Sequence, residues 1–179
     1  MCVICFKPAG AEMPKKTRLK AMATANPHGF GFATSSGKYF RTTDYKVFEK
    51  KLKTVTKDEA CIMHFRLATH GSIKRTNCHP FASNGVYFAH NGVLPYASVN
   101  DRTDSEFAFT TILMPIVARY GLFSEELTNK VAQIIGSSRF AFMQGARVRL
   151  FGDWVDFGGC RYSNMRWVWA LANIDRKCL

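Results

Sequence analysis

The chain has no apolar run approaching the roughly 20 residues of a membrane-spanning helix; Ile112 to Ala118 is interrupted by Pro115. No basic stretch precedes the first apolar residues, so MCVICFKPAG does not read as a secretory signal, and a cytoplasmic setting is the default expectation. Six cysteines, at 2, 5, 61, 78, 160 and 178, are too sparse for a disulfide scaffold. In a reducing compartment they would be thiols, metal ligands or a nucleophile. Repeats, low-complexity tracts and linker-like stretches are missing as well, so one domain over residues 1–179 is expected. Acidic residues are scarce, 13 against 25 lysines and arginines, for a net charge of +12. The imbalance is uneven: 15 basic and 5 acidic residues through position 80, then 10 and 8 beyond it. A surface this basic suits a polyanionic partner, either nucleic acid or an acidic protein.

What is present is an ordinary globular composition, 47% hydrophobic and 21% charged. Val3 to Phe6, followed by Lys7-Pro8-Ala9-Gly10, predicts a buried N-terminal strand ending in a turn. Pro14 to Ala25 reads as a basic helix, and Phe30 to Thr34 with Lys38 to Thr42 as a hairpin around Ser35-Ser36-Gly37. Asp44 is a candidate N-cap for a helix to about Val55. Its lysines 46, 50, 53 and 57 share one face and Phe48, Leu52 and Val55 the other, as in a solvated surface helix. Ala60 to Phe65 and Val86 to His90 predict strands. Ser105 to Tyr120 has helical spacing, with Pro115 expected to kink it, and Ser124 is placed to cap a helix to Ile135. Arg139 to Met143 and Val148 to Phe151 predict a hairpin around Gln144-Gly145; further short strands follow, and Trp167 to Leu171 is apolar enough for core. Strands in groups and helices in groups indicate an α+β class with mostly antiparallel sheets.

Reactive side chains concentrate in one stretch. His64-Phe65-Arg66-Leu67-Ala68-Thr69-His70-Gly71 leads to Asn77-Cys78-His79-Pro80, then His90-Asn91-Gly92 and Thr103-Asp104-Ser105-Glu106. Four of the five histidines fall within these 27 residues from 64 to 90. Each member has a plain structural alternative: Gly71 and Asn91-Gly92 as turns, Asp104 as an N-cap, a histidine as core.

Taken in order with Cys2, these motifs resemble the glutaminase domain of class II glutamine amidotransferases. Asn26-Pro27-His28-Gly29-Phe30-Gly31 is similar to an early glycine-containing segment of that family, and Tyr162-Ser163-Asn164 extends the likeness weakly toward the C-terminus. The resemblance implies the Ntn-hydrolase fold, a four-layer αββα sandwich of two mostly antiparallel sheets. It implies that loss of Met1 would make Cys2 an N-terminal nucleophile with its own α-amine as general base. Asn91 and the Gly92 N–H would form the oxyanion hole. Arg66 would hold the α-carboxylate of glutamine and Asp104 its α-ammonium, with Thr69 and His70 lining the same pocket. His79 and His90 are expected as structural supports. The family often has Trp after the arginine, where this chain has Leu67. No cofactor is implied.

The absence of an attached synthase domain leaves three outcomes: a separate ammonia-accepting synthase subunit, hydrolysis of another amide, or loss of turnover. Two rival readings remain. Cys2-x-x-Cys5 with Cys78-His79 offers four zinc ligands, but adjacent Cys78 and His79 lack the usual half-site spacing, and Cys2 and Cys5 on a strand would face opposite sides. No metal is therefore expected. Alternatively, an idle Ntn scaffold would use its basic surface, Lys15, Lys16, Arg18, Lys20 and lysines 46, 50, 53 and 57, to bind nucleic acid or an acidic protein.

Overall fold

The computed structural model describes residues 1–68, 71–96 and 103–175. It contains two antiparallel sheets, and alternation along the strands explains how they stack. The first sheet has six strands: β1 (Val3–Lys7), β2 (Gly29–Thr34), β3 (Tyr39–Thr42), β4 (Cys61–Arg66), β9 (Val155–Phe157) and β10 (Cys160–Tyr162), in the order β3-β2-β4-β1-β10-β9. The second has four, in chain order: β5 (Phe81–Ser83), β6 (Val86–Asn91), β7 (Arg139–Gln144) and β8 (Arg147–Phe151). Side chains alternate across a strand, and the central strands use both faces. In β1 and β4, Val3, Cys5, Cys61, Met63 and Phe65 join one apolar cluster, whereas Ile4, Phe6 and Ile62 join another. That second cluster includes Ala89, Ala141 and Met143 from β6 and β7, so it is the seam between the sheets.

Helices cover the outer faces. On the first sheet lie α1 (Lys16–Ala25), α2 (Tyr45–Leu52) and α6 (Val168–Asp175), with Leu19, Met22, Phe48, Leu52, Trp167 and Ala170 buried there. On the second, α3 (Asp104–Phe107) leads into the helical stretch Ala108–Leu113, which with α4 (Met114–Tyr120) and α5 (Glu125–Ile134) packs on Phe88, Phe140 and Phe142. The layers run helix, sheet, sheet, helix, as the sequence led us to expect. Asp44 caps α2, its carboxylate accepting from the backbone N–H groups of Lys46 and Val47, and Ser124 caps α5 through the Leu127 N–H. Phe48 and Leu52 are buried and Lys46 and Lys50 exposed, so the two-faced reading holds over α2, but the helix ends at Leu52, leaving Lys53 as its C-cap and Val55 and Lys57 beyond it.

Several expectations need correction. The helix forecast from Ser105 to Tyr120 is three pieces: α3, a π-helical stretch Ala108–Leu113, then α4 with Pro115 in its first turn. Proline cannot donate to the helical ladder and its ring crowds the carbonyl four residues back; the widened segment ends just ahead of it. The plain alternative for Asn91-Gly92, a hairpin turn, is not what the structure has, since β6 pairs with β7, which begins only at Arg139. The other plain alternative, Asp104 as an N-cap, also falls away: Thr103 is the cap, its hydroxyl accepting from Glu106 N–H. Trp167 is buried, but Val168 and Trp169 are 41% and 58% exposed, so that segment is a helix with one core face rather than continuous core.

Candidate active site

The site lies at one end of the paired sheets, where β1 begins and β4 and β6 end. In the antiparallel register Val3 opposes Phe65, which sets Cys2 beside the exit of β4. Leu67 N–H points to the Cys2 sulfur at 3.4 Å, and the thiol returns a weak 3.5 Å contact to the Leu67 carbonyl. Cys2 as a residue is only partly buried, but its sulfur faces a pocket shared with Arg66, Gly92 and Asp104. Burial pushes the thiol's pKa above its ordinary value, opposed by the Leu67 N–H and by the Arg66 charge. The thiol therefore rests protonated at neutral pH, and attack requires a base.

Two glycines permit the strand packing behind this pocket. A Cβ at Gly29 would collide with the Cys78 sulfur, and one at Gly31 with the His79 carbonyl. The adjoining His28 accepts from Ala68 N–H at 2.9 Å through Nδ1, and its own N–H donates to the Arg66 carbonyl at 2.9 Å. The Asn26–Gly31 segment thus braces the exit of β4.

Arg66 is 3% exposed, and its guanidinium donates to the Ser72 carbonyl at 3.0 Å and, at 3.5 Å, to that of Gly71. Asn77 donates to the same Ser72 carbonyl at 3.1 Å, which fixes the loop that holds the arginine. Asp104 opens α3, where a carboxylate is favoured by the helix N-terminus. Its Oδ2 accepts from Leu94 N–H at 2.8 Å and its Oδ1 from Ser105 N–H at 2.7 Å, so it clamps the loop after Gly92 to the helix. Thr69 and His70 lie outside the described residues.

Three buried histidines stand behind and along the pocket. His64 Nε2 meets the His90 carbonyl at 3.1 Å; a carbonyl only accepts, so this nitrogen carries the proton. His79 stacks on the His64 ring at 4.3 Å between centroids. Ser105 Oγ donates to Asp104 Oδ1 at 3.0 Å and must therefore accept from His90 Nδ1–H at 2.7 Å. Burial holds all three imidazoles neutral: His64 is lowered to about 3, His90 to about 4 despite the Asp104 charge, and His79 lies well below its ordinary value. His79 and His90 also line the pocket, beyond the purely supporting place expected for them.

Gly92 follows β6 with φ +147°, and a Cβ there would run into the Ser138 side chain. Asn91 is 2% exposed and does not line the pocket surface itself; its Nδ2 lies 2.9 Å from Ser163 Oγ. The residues after β10 were given no role in the sequence reading, yet they tether the N-terminal strand. Ile4 N–H donates to Ser163 Oγ at 2.8 Å, Ser163 N–H to the Ile4 carbonyl at 3.0 Å, and Asn164 Nδ2 to the Cys2 carbonyl at 2.8 Å. Their signal was the Tyr-Ser-Asn tripeptide, whose partners lie about 160 residues away. Cys5 belongs to the helix-side cluster with Cys61 and Cys160, away from Cys2. Among the described residues no group of three or more His, Cys, Asp or Glu is placed to hold a metal ion.

The sequence profile described as "Glutamine amidotransferases class-II" matches residues 20–146. The match covers well over half of the chain, and the protein belongs to that family. The matched span begins beyond Cys2. A search of curated proteins found no match. Among solved structures, the chain is similar to glutamine phosphoribosylpyrophosphate amidotransferase from B. subtilis, with 18% identity and a TM-score of 0.58, covering 96% of this chain and 44% of that one. It is also similar to a structure described as the allosteric regulatory enzyme of purine biosynthesis, with 18% identity, a TM-score of 0.60 and coverage of 96% and 43%. At such identity these likenesses show the fold alone. The chain spans less than half the length of either structure.

Proposed function

We propose that this chain is an N-terminal cysteine amidohydrolase that releases ammonia from glutamine or a related γ-glutamyl amide. Loss of Met1 exposes the Cys2 α-amine, whose ordinary pKa of about 7.7–8.0 suits a proton shuttle at neutral pH. The amine takes the thiol proton as sulfur attacks the side-chain amide carbon. It returns that proton to the departing nitrogen, which leaves as ammonia, and water then cleaves the thioester to regenerate the thiol. Asn91 and Gly92 stabilise the intermediate oxyanion. Arg66 pairs with the substrate carboxylate and Asp104 with its ammonium, joined by Thr69 and His70 of the family motif. The reading is carried by one observation: Cys2, Arg66, Gly92 and Asp104 share a single pocket. Cys2→Ala should abolish glutamine-dependent ammonia release with little change in melting temperature; a variant that keeps turning over would refute the assignment.

A second reading is favoured by the exposed lysines of α2, which leave a positive face apart from the pocket. There the basic surface binds nucleic acid or an acidic protein, with or without catalysis. Its affinity for nucleic acid should fall steeply with salt. Absent or salt-insensitive binding would dismiss the nucleic-acid form.

A further inference from the structure

Ser163 stands between the two halves of the proposed chemistry. Its Oγ is 2.8 Å from the Ile4 N–H, two residues after the nucleophile, and 2.9 Å from the Asn91 side-chain amide. It is 2% exposed, as is Asn91, so water cannot easily replace either contact. With Asn91 Nδ2 facing Ser163, the hydroxyl oxygen accepts two N–H groups, while Asn91 Oδ1 is buried without a partner. An orphaned buried acceptor costs about 1–3 kcal/mol. Half a turn about the Asn91 Cβ–Cγ bond exchanges two atoms of nearly equal size and sets the amide N–H groups where Oδ1 has no protein partner, so that the oxyanion would be their acceptor. Ser163 then accepts from Ile4 and donates its own hydrogen to Asn91 Oδ1, and both N–H bonds of Asn91 turn away from Ser163.

We propose that Ser163 is a positioning residue: its hydroxyl holds the Asn91 carbonyl, presents the amide N–H to the developing oxyanion, and ties that donor to the strand carrying Cys2. Ser163 touches no substrate; it acts on the oxyanion through Asn91, and its contact with Ile4 N–H steadies the strand that carries Cys2. The inference rests on the glutaminase reading above. It adds a third participant to the oxyanion hole, drawn from the far end of the chain. Asn164, which donates to the Cys2 carbonyl at 2.8 Å, makes the same dipeptide an anchor for the nucleophile's backbone.

The test is steady-state ammonia release from glutamine by the full-length wild type, Ser163→Ala, Ser163→Cys, Asn91→Ala and the double variant Asn91→Ala/Ser163→Ala. Loss of one oxyanion donor typically lowers kcat about 10²–10³-fold, so Asn91→Ala sets the scale. Ser163→Ala should lose roughly 10-fold or more in kcat with KM unchanged, a part of that full loss. Ser163→Cys, which keeps the size and a weak donor, should recover part of the rate and serves where the alanine variant folds poorly. The decisive comparison is the double variant. It should be slowed by clearly less than the product of the two single effects, because only the Ile4 contact of Ser163 is left to lose. A double variant slowed by the full product of the two single effects, or Ser163 variants with wild-type kcat, would overturn the inference while leaving the glutaminase reading intact. A wild type that releases no ammonia from glutamine or γ-glutamyl amides would remove both.

Discussion

Gly92→Ala puts the oxyanion assignment under direct strain, because the space around that residue sets the size of the effect. Gly92 has φ +147°, a conformation that costs a side-chain-bearing residue about 1–3 kcal/mol. An added Cβ would also lie 2.6 Å from Ser138 Cβ and 2.9 Å from Ser138 Cα, and closer still to its Oγ. Comfortable carbon contacts are about 3.5–4.0 Å, so something must move by roughly 1 Å. Ser138 has little freedom to yield: it is 3% exposed and donates to the Val93 carbonyl at 3.3 Å. Overpacking of this kind adds about 1–3 kcal/mol, and the Gly92 N–H is displaced with its backbone. The expected result is a fall in kcat of about 10²–10³-fold, together with a lower melting temperature. Ser138→Gly in the same chain removes the colliding Oγ and Cβ but not the φ penalty, so the double variant should regain part of the stability and part of the rate. Ammonia-release kinetics and thermal denaturation on the four proteins measure this. A Gly92→Ala variant with wild-type kcat and melting temperature would refute both the packing argument and the role of the backbone donor.

Two further outcomes follow from ionisation. With the Cys2 α-amine as base, kcat/KM for glutamine should climb as that amine loses its proton, with an inflection near pH ~7.7–8.0; a profile flat from pH 6 to about 9 would exclude the amine as base. Glu59 is a structural counterpart. Burial opposes its ionisation, but Lys38, Ser36 and the Thr56 N–H and hydroxyl outweigh that and bring its carboxyl down to about 2. A folded pKa below the unfolded value stabilises the protein above the unfolded pKa, and that stability is lost as pH falls through the folded one. With solvent screening of the Lys38 pair, that lowering contributes on the order of 1–2 kcal/mol. Chemical denaturation should therefore find Glu59→Gln weaker by an amount of that order at pH 7, the gap closing between pH ~5 and ~2; a gap independent of pH would show that the carboxylate charge contributes nothing.

The sequence was most informative where structure is local. The Asp44 and Ser124 caps, the hairpin through Ser36-Gly37 and the short apolar runs of β1 and β4 all depend on neighbours within a few residues. The π-helical stretch before Pro115 was not visible, since spacing marks a proline's disruption but not its form. The three-residue strand β5 was also missed; it is too short for alternation to register and exists through pairing with β6. Within the site, the motif order placed Cys2, Arg66, Gly92 and Asp104 in one pocket, but only as a resemblance. Contacts between separate segments left no periodic trace: Ser163 to Ile4 and Asn164 to Cys2 across nearly the whole chain, Ser163 to Asn91, and His90 to Ser105. The glycine requirements at 29 and 31 are likewise set by Cys78 and His79, which come from another segment.

The central claim concerns Cys2, and one measurement addresses it most directly: intact-mass analysis of the protein from its native host, before and after exposure to a glutamine analogue carrying an electrophilic ketone in place of the amide. The account predicts a polypeptide lacking Met1 that gains one covalent adduct, mapped to Cys2 and absent from Cys2→Ala. Retained Met1, or an adduct at any other cysteine, would contradict it.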